Sequence, residues 1–266
     1  MSTRRDRFKH REGYTLEYLV NEPMQRSSPY LHILFHGFSA IERHVPPVFA
    51  RRQWREWEDS VCLFLSDPIH LVTPDSGCGW FLLGEDEFMP SILQLQQDLL
   101  TRFGLSGTVW HGLSSGGYAA VKYCVRSEGD GLAFVLSPHN DPTILPQWTR
   151  EAVPHLGLPG WGAPTVTADL LAQWSSAKYL YAILSEKDSY FGFKHLKPIM
   201  GALDGWQNVR GLVLKNGLGH GFITDSDYET QLTAAIHSWE KYRRTSASAG
   251  SASVENERIS PCPTSR

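Results

Sequence analysis

Short apolar runs recur along the chain, each closed by Gly, Pro, Asp or His and each followed by a stretch whose apolar residues fall at helical spacing. Runs of this kind are strands buried on both faces, and their alternation with helical segments predicts a mostly parallel sheet with crossover helices. The predicted strands are LHILFHGF (31–38), VCLFLSDP (61–68), GTVWHGL (107–113), LAFVLSPH (132–139), KYLYAILSEKD (178–188) and VRGLVLKNG (209–217). Crossover helices are expected near 45–58, 88–103, 116–128, 193–203 and 227–243, and a pair of strands around 8–20 adds an antiparallel edge. At 266 residues the chain can bury most of its apolar surface around one core.

Two segments break this rhythm. Residues 141–176 hold Pro142, Pro146, Pro154, Pro159 and Pro164 together with Trp148, Trp161 and Trp174, which reads as an inserted loop or cap of the kind that shapes a substrate pocket. From Thr245 onward the chain is rich in Ser and Ala without apolar periodicity, so residues 1–244 are read as the domain and 245–266 as a disordered tail.

Composition then removes several function classes. A net charge of −3 and a pI near 6.4 leave no basic footprint, so nucleic acid is not an expected partner, and Arg4, Arg5 and Arg7 read as part of a polar leader. The start of the chain has no apolar signal core, and no stretch approaches the roughly 20 apolar residues that span a bilayer. The expectation is a cytoplasmic protein without a membrane span. Cys62, Cys78, Cys124 and Cys262 show no finger or CxxC spacing, which favours reduced thiols, with Cys62 and Cys124 filling core. The histidines form no HExxH or other compact ligand set, so neither a metal nor a cofactor is expected.

The candidate chemistry lies in TVWHGLSSGGYAA, residues 108–120. A phosphate loop needs GxGxxG or GxxxxGK[ST], and the spacing of Gly112, Gly116 and Gly117 fits neither. Gly112-Leu113-Ser114-Ser115-Gly116 instead gives G-x-S-x-G between a strand and a helix, the pattern that lifts a serine out on a tight turn. The flanking positions must be small for the chain to pass, and the N–H of Ser115 at the helix start then points at an oxyanion. His36-Gly37-Phe38 at the end of the first strong strand offers a second donor, the N–H of Phe38. Asp188 follows the 178–188 run, and His220 sits between two glycines after the last strand. The order Ser114, Asp188, His220 suits a nucleophile, an orienting acid and a base; Glu186 and Asp141 remain alternatives for the acid.

These residues resemble those of the α/β-hydrolase superfamily over most of residues 8–243. The resemblance implies that fold, with helices on both faces of the sheet and a cap-like insertion. It also implies a serine hydrolase in which His220 deprotonates Ser114, Asp188 holds the imidazole, and water cleaves the acyl-enzyme. The backbone N–H groups of Phe38 and Ser115 then stabilise the oxyanion by about 3 kcal/mol each. A further segment, SDPIHLVTPDSGCGWFLLG (66–84), is similar to an α/β-hydrolase-like group of accessory-secretion and capsular-polysaccharide proteins, through Asp67, Pro68, Trp80, Phe81 and Gly84. That likeness implies a glycan context. The expected partner is a small-molecule or glycan-linked acyl substrate, with Trp80, Phe81, His139, Trp148 and Trp161 as candidate pocket residues. Three readings stay open at this level: esterase, acyltransferase or thioesterase in a biosynthetic pathway, and non-catalytic accessory protein.

Overall fold

A computed structural model describes residues 2–39, 45–54, 57–73, 77–145, 165–221 and 223–256. Its strands are β1 (Ser2–Lys9), β2 (Thr15–Glu22), β3 (Leu31–Phe35), β4 (Val61–Leu65), β5 (Thr108–Leu113), β6 (Gly131–Leu136), β7 (Lys178–Ser185) and β8 (Val209–Leu214). They form one sheet in the order β1-β2-β4-β3-β5-β6-β7-β8. β1–β2 and β2–β4 pair antiparallel, and every later pairing is parallel. The helices are α1 (Ile69–Val72), α2 (Glu85–Phe103), α3 (Ser115–Arg126), α4 (Val166–Gln173), α5 (Ser189–Phe191), α6 (Lys197–Ala202) and α7 (Asp225–Asn256). A π-helical turn, Gly192–Leu196, joins α5 to α6.

Both faces of the sheet are covered, which is why its central strands are largely apolar, with His32, Thr108 and His111 as buried polar exceptions. On one face Phe88, Ile92 and Leu99 of α2, Tyr118 and Val121 of α3 and Ile199 of α6 close over Ile33, Leu63 and Val135. On the other, Tyr228, Leu232 and Trp239 of α7 join Trp57 against Leu34, Phe64 and Phe134. Cys124 lies in the first core and Cys62 in the second.

Three sequence expectations are corrected. The polar leader is β1, paired residue for residue with β2. An edge strand needs no apolar face, and its arginines guard the open edge. The helix expected at 45–58 is not formed among the described residues of that stretch, which make turns; Pro46 and Pro47 cannot donate to a helical ladder. The tail expected to be disordered from Thr245 continues α7 to Asn256, because alanine extends an existing helix at little cost once the nucleus has formed. Residues 257–266 lie outside the described part, as does most of the expected cap, including Trp148 and Trp161. From the cap, Pro142–Ile144 forms a single 3₁₀ turn and α4 packs on the first core. No described helix is long and apolar enough to cross a membrane.

Candidate active site

Ser114 joins β5 to α3 with φ 55° and ψ −114°, a conformation that a non-glycine residue holds only under constraint. The constraint is steric. A Cβ at Gly112 would run into the backbone of Gly116, and a Cβ at Gly116 would run into the carbonyls of Phe35 and His36. The two glycines let the start of α3 sit directly on the end of β3. Ser114 N–H donates to Leu136 O at 2.9 Å, and Ser114 O accepts the N–H groups of Tyr118 and His139, both at 3.2 Å.

Two imidazoles reach the serine oxygen. His220 Nε2 lies 2.8 Å from Ser114 Oγ, and His220 Nδ1 lies 2.7 Å from Asp188 Oδ2. Asp188 is buried at the start of α5, whereas the His220 side chain is 29 % exposed. Phe191 of α5 stacks on the His220 ring with centroids 3.6 Å apart. The loop carrying His220 is tied back to β7: the Ser185 hydroxyl donates to Leu218 O, and Gly217 N–H donates to Glu186 Oε1 at 3.2 Å. Glu186 therefore faces the turn before His220. Asp141 Oδ1 accepts the Thr143 N–H at 2.9 Å and caps its own turn. Of the three carboxylates considered from sequence, Asp188 is the one in contact with His220.

The second imidazole is His139, whose Nε2 lies 3.0 Å from Ser114 Oγ and whose Nδ1 accepts the indole N–H of Trp80 at 2.9 Å. Burial, reinforced by His195 and His220, holds its pKa well below the usual imidazole range. His195, in the π turn, accepts the N–H of Asn140 at 3.0 Å and fixes the loop after β6. Burial pushes the His195 pKa down to about 4. Trp80 and Phe81 are 1 % exposed and lie in the core rather than on an open pocket wall. Phe81 packs edge-on against Phe35 with centroids 4.9 Å apart. Nothing local in the sequence marks His139 as a partner of Ser114, because Ser-Pro-His-Asn-Asp looks like any strand end.

The N–H of Ser115 opens α3, and that of Phe38 follows Gly37; among the described residues neither is engaged in a backbone hydrogen bond. A cavity of about 540 Å³ lies beside Gly37 and Phe38, with Arg5, Arg51 and Arg52 on its wall. A smaller, more apolar cavity of about 240 Å³ touches Gly37, Gly112 and Leu113. Among the described residues, His10, Asp86 and Glu87 are the single group spaced for a metal. Arg11 already pairs with both of those carboxylates, at 2.8 Å and 3.0 Å.

No family model and no curated protein matches the chain. Solved structures do. A carboxyl esterase from Bacillus coagulans superposes with a TM-score of 0.57 at 12 % identity, over 91 % of this chain and 98 % of that one. The capsule O-acetyltransferase of Neisseria meningitidis serogroup A gives a TM-score of 0.56 at 12 % identity, over 88 % and 94 %. The glycosylation associate protein complex of Streptococcus agalactiae gives 0.55 at 17 % identity, over 91 % and 46 %. With the sheet order and the crossover helices, these similarities establish the α/β-hydrolase fold.

Proposed function

We propose that the protein is a serine hydrolase that cleaves an ester or related acyl bond through an acyl-enzyme on Ser114. The observation that carries this reading is the continuous row from Asp188 Oδ2 through His220 to Ser114 Oγ, at 2.7 and 2.8 Å, ending on a strained turn. His220 Nε2 takes the hydroxyl proton as Oγ attacks the acyl carbon, and Asp188 supports the imidazolium that forms. The N–H groups of Phe38 and Ser115 are the donors to the oxyanion. His220 then gives its proton to the leaving group, and water repeats the sequence on the acyl-enzyme.

The fold neighbours divide by acceptor, esterase to water and O-acetyltransferase to a capsule, and this supports acyl transfer to a sugar hydroxyl as the second reading. The substrate class is accordingly a small-molecule or glycan-linked acyl compound. A purely accessory role gives no reason to hold a serine at a positive φ against a carboxylate-backed histidine.

Labelling with a fluorophosphonate, read by intact-protein mass, tests the proposal. Wild-type protein is expected to gain one phosphonyl group and Ser114→Ala none; a folded wild-type protein that stays unlabelled overturns the hydrolase reading. Addition of carbohydrate acceptors to the acyl-enzyme separates the two acceptors, since faster loss of the acyl mass with formation of an acylated sugar marks transfer.

A further inference from the structure

The segment Asp67-Pro68 to Gly84 has no part in the row from Asp188 to Ser114, and His139 makes a contact to the nucleophile that the row does not require. We propose that Asp67 and Trp80 hold His139 as a second catalytic histidine, a neutral imidazole that donates its Nε2–H to Ser114 Oγ. This rests on the hydrolase reading and extends it.

The direction of each hydrogen bond follows from chemistry. An indole N–H only donates, so His139 Nδ1, 2.9 Å away, is the acceptor and the ring proton sits on Nε2. Nε2 is 3.0 Å from Ser114 Oγ and therefore donates to it. A hydroxyl has one proton, and with His139 filling a lone pair that proton is directed to His220 Nε2 at 2.8 Å. His139 thus sets the hydroxyl rotor toward the base.

Trp80 is itself held in place. It and Phe81 occupy φ of 54° and 58°, successive left-handed positions that are costly for large side chains. The Asp67 carboxylate secures that turn: Oδ2 accepts the N–H of Gly79 at 2.7 Å and of Phe81 at 3.1 Å, and Oδ1 accepts the N–H of Ile69 at 3.1 Å. The Asp67 N–H also donates to His36 Nε2 at 2.9 Å, and His36 Nδ1 donates to Gly37 O at 2.7 Å. One buried aspartate therefore organises both the oxyanion loop and the tryptophan behind His139. This gives the Asp-Pro and Trp-Phe positions a physical role.

In the reaction the His139 proton never leaves. As His220 removes the hydroxyl proton and the Oγ–C bond forms, the Nε2–H stabilises charge on Oγ. When the acyl-enzyme breaks, the electron pair of that bond returns to Oγ, His220 returns the proton, and the same N–H stabilises the departing oxygen.

The test combines two readouts on the full chain. Histidine ¹⁵N spectra, with His139 assigned by loss in His139→Gln, are expected to show the Nε2–H tautomer in wild type and its loss in Trp80→Phe. Fluorophosphonate labelling is expected to slow about 100-fold in His139→Ala and to recover in part in His139→Gln, whose amide N–H reaches the same oxygen. Should His139→Ala fail to fold, Trp80→Phe and His139→Gln carry both readouts, with thermal melting as the check. Wild-type labelling with equally fast variants, or a His139 proton on Nδ1, overturns this inference alone. An unlabelled wild type overturns it together with the hydrolase reading, which keeps the two failures distinct.

Discussion

His220 and His139 approach one oxygen from opposite surroundings. His220 stands on a glycine-flanked loop, partly open to solvent, with a carboxylate on its far nitrogen. His139 is buried, with an indole N–H on its far nitrogen and further imidazoles beside it. On the proposed mechanism the same ring takes opposite tasks, set by what its second nitrogen meets. A carboxylate supports a positive imidazolium and so favours a base, whereas an N–H donor and a dry surrounding forbid the charge and leave a fixed donor.

The strongest way to break this comparison is to remove the shared oxygen. Ser114→Ala is expected to reduce acyl turnover by about a million-fold with an unchanged melting temperature. Asp188→Asn strikes only the His220 side and is expected to cost about 10⁴-fold in kcat. If it stays active while Asp141→Asn does not, the assignment of the acid moves to Asp141. Gly37→Ala places a Cβ 2.8 Å from Leu113 O, shifts the Phe38 N–H, and is expected to lower kcat about 100-fold.

Acid sharpens the other half. Burial lowers the pKa of His32 to about 4 and of His195 to about 4, and holds His111 and His139 well below their ordinary value of 6.5. These rings are neutral when folded and take up protons when unfolded. Their contribution is intact above pH 6.5 and declines as the pH falls toward about 4, by up to roughly 1.4 kcal/mol per ring and pH unit. A melting temperature that falls steadily through that window is the expected result, and a flat profile contradicts neutral burial. The smallest effect belongs to Glu186→Gln, where the amide oxygen still accepts the Gly217 N–H; activity is expected within about threefold of wild type, since this bond is exposed to solvent and His220 Nδ1 is held by Asp188.

Much of the fold could be read from local pattern because a parallel sheet covered on both faces must consist of apolar runs. The runs ending at Phe35, Leu65, Leu113, Leu136 and Ser185 are such strands, and Val209–Leu214 closes the sheet as its half-exposed second edge. The charged strand Ser2–Lys9 escaped notice because an edge has no apolar requirement. The stretch 45–58 misled because apolar and aromatic residues at near-helical spacing outweighed two prolines. Within the site, Gly112 and Gly116 announced the serine turn since their constraint acts across four residues, and the glycines around His220 announced a loop after the last strand.

What the sequence determined by itself was a sheet with crossovers and a serine lifted out where β5 becomes α3, because periodicity and short-range sterics are local properties. Only the tertiary structure decided that Asp188, rather than Glu186 or Asp141, meets His220, and that Trp80 and His139 stand behind Ser114. Those contacts join residues 25 to 106 positions apart. Their distances depend on how strands β4 to β8 align at one edge and how a buried carboxylate folds the turn before α2, which no local pattern encodes.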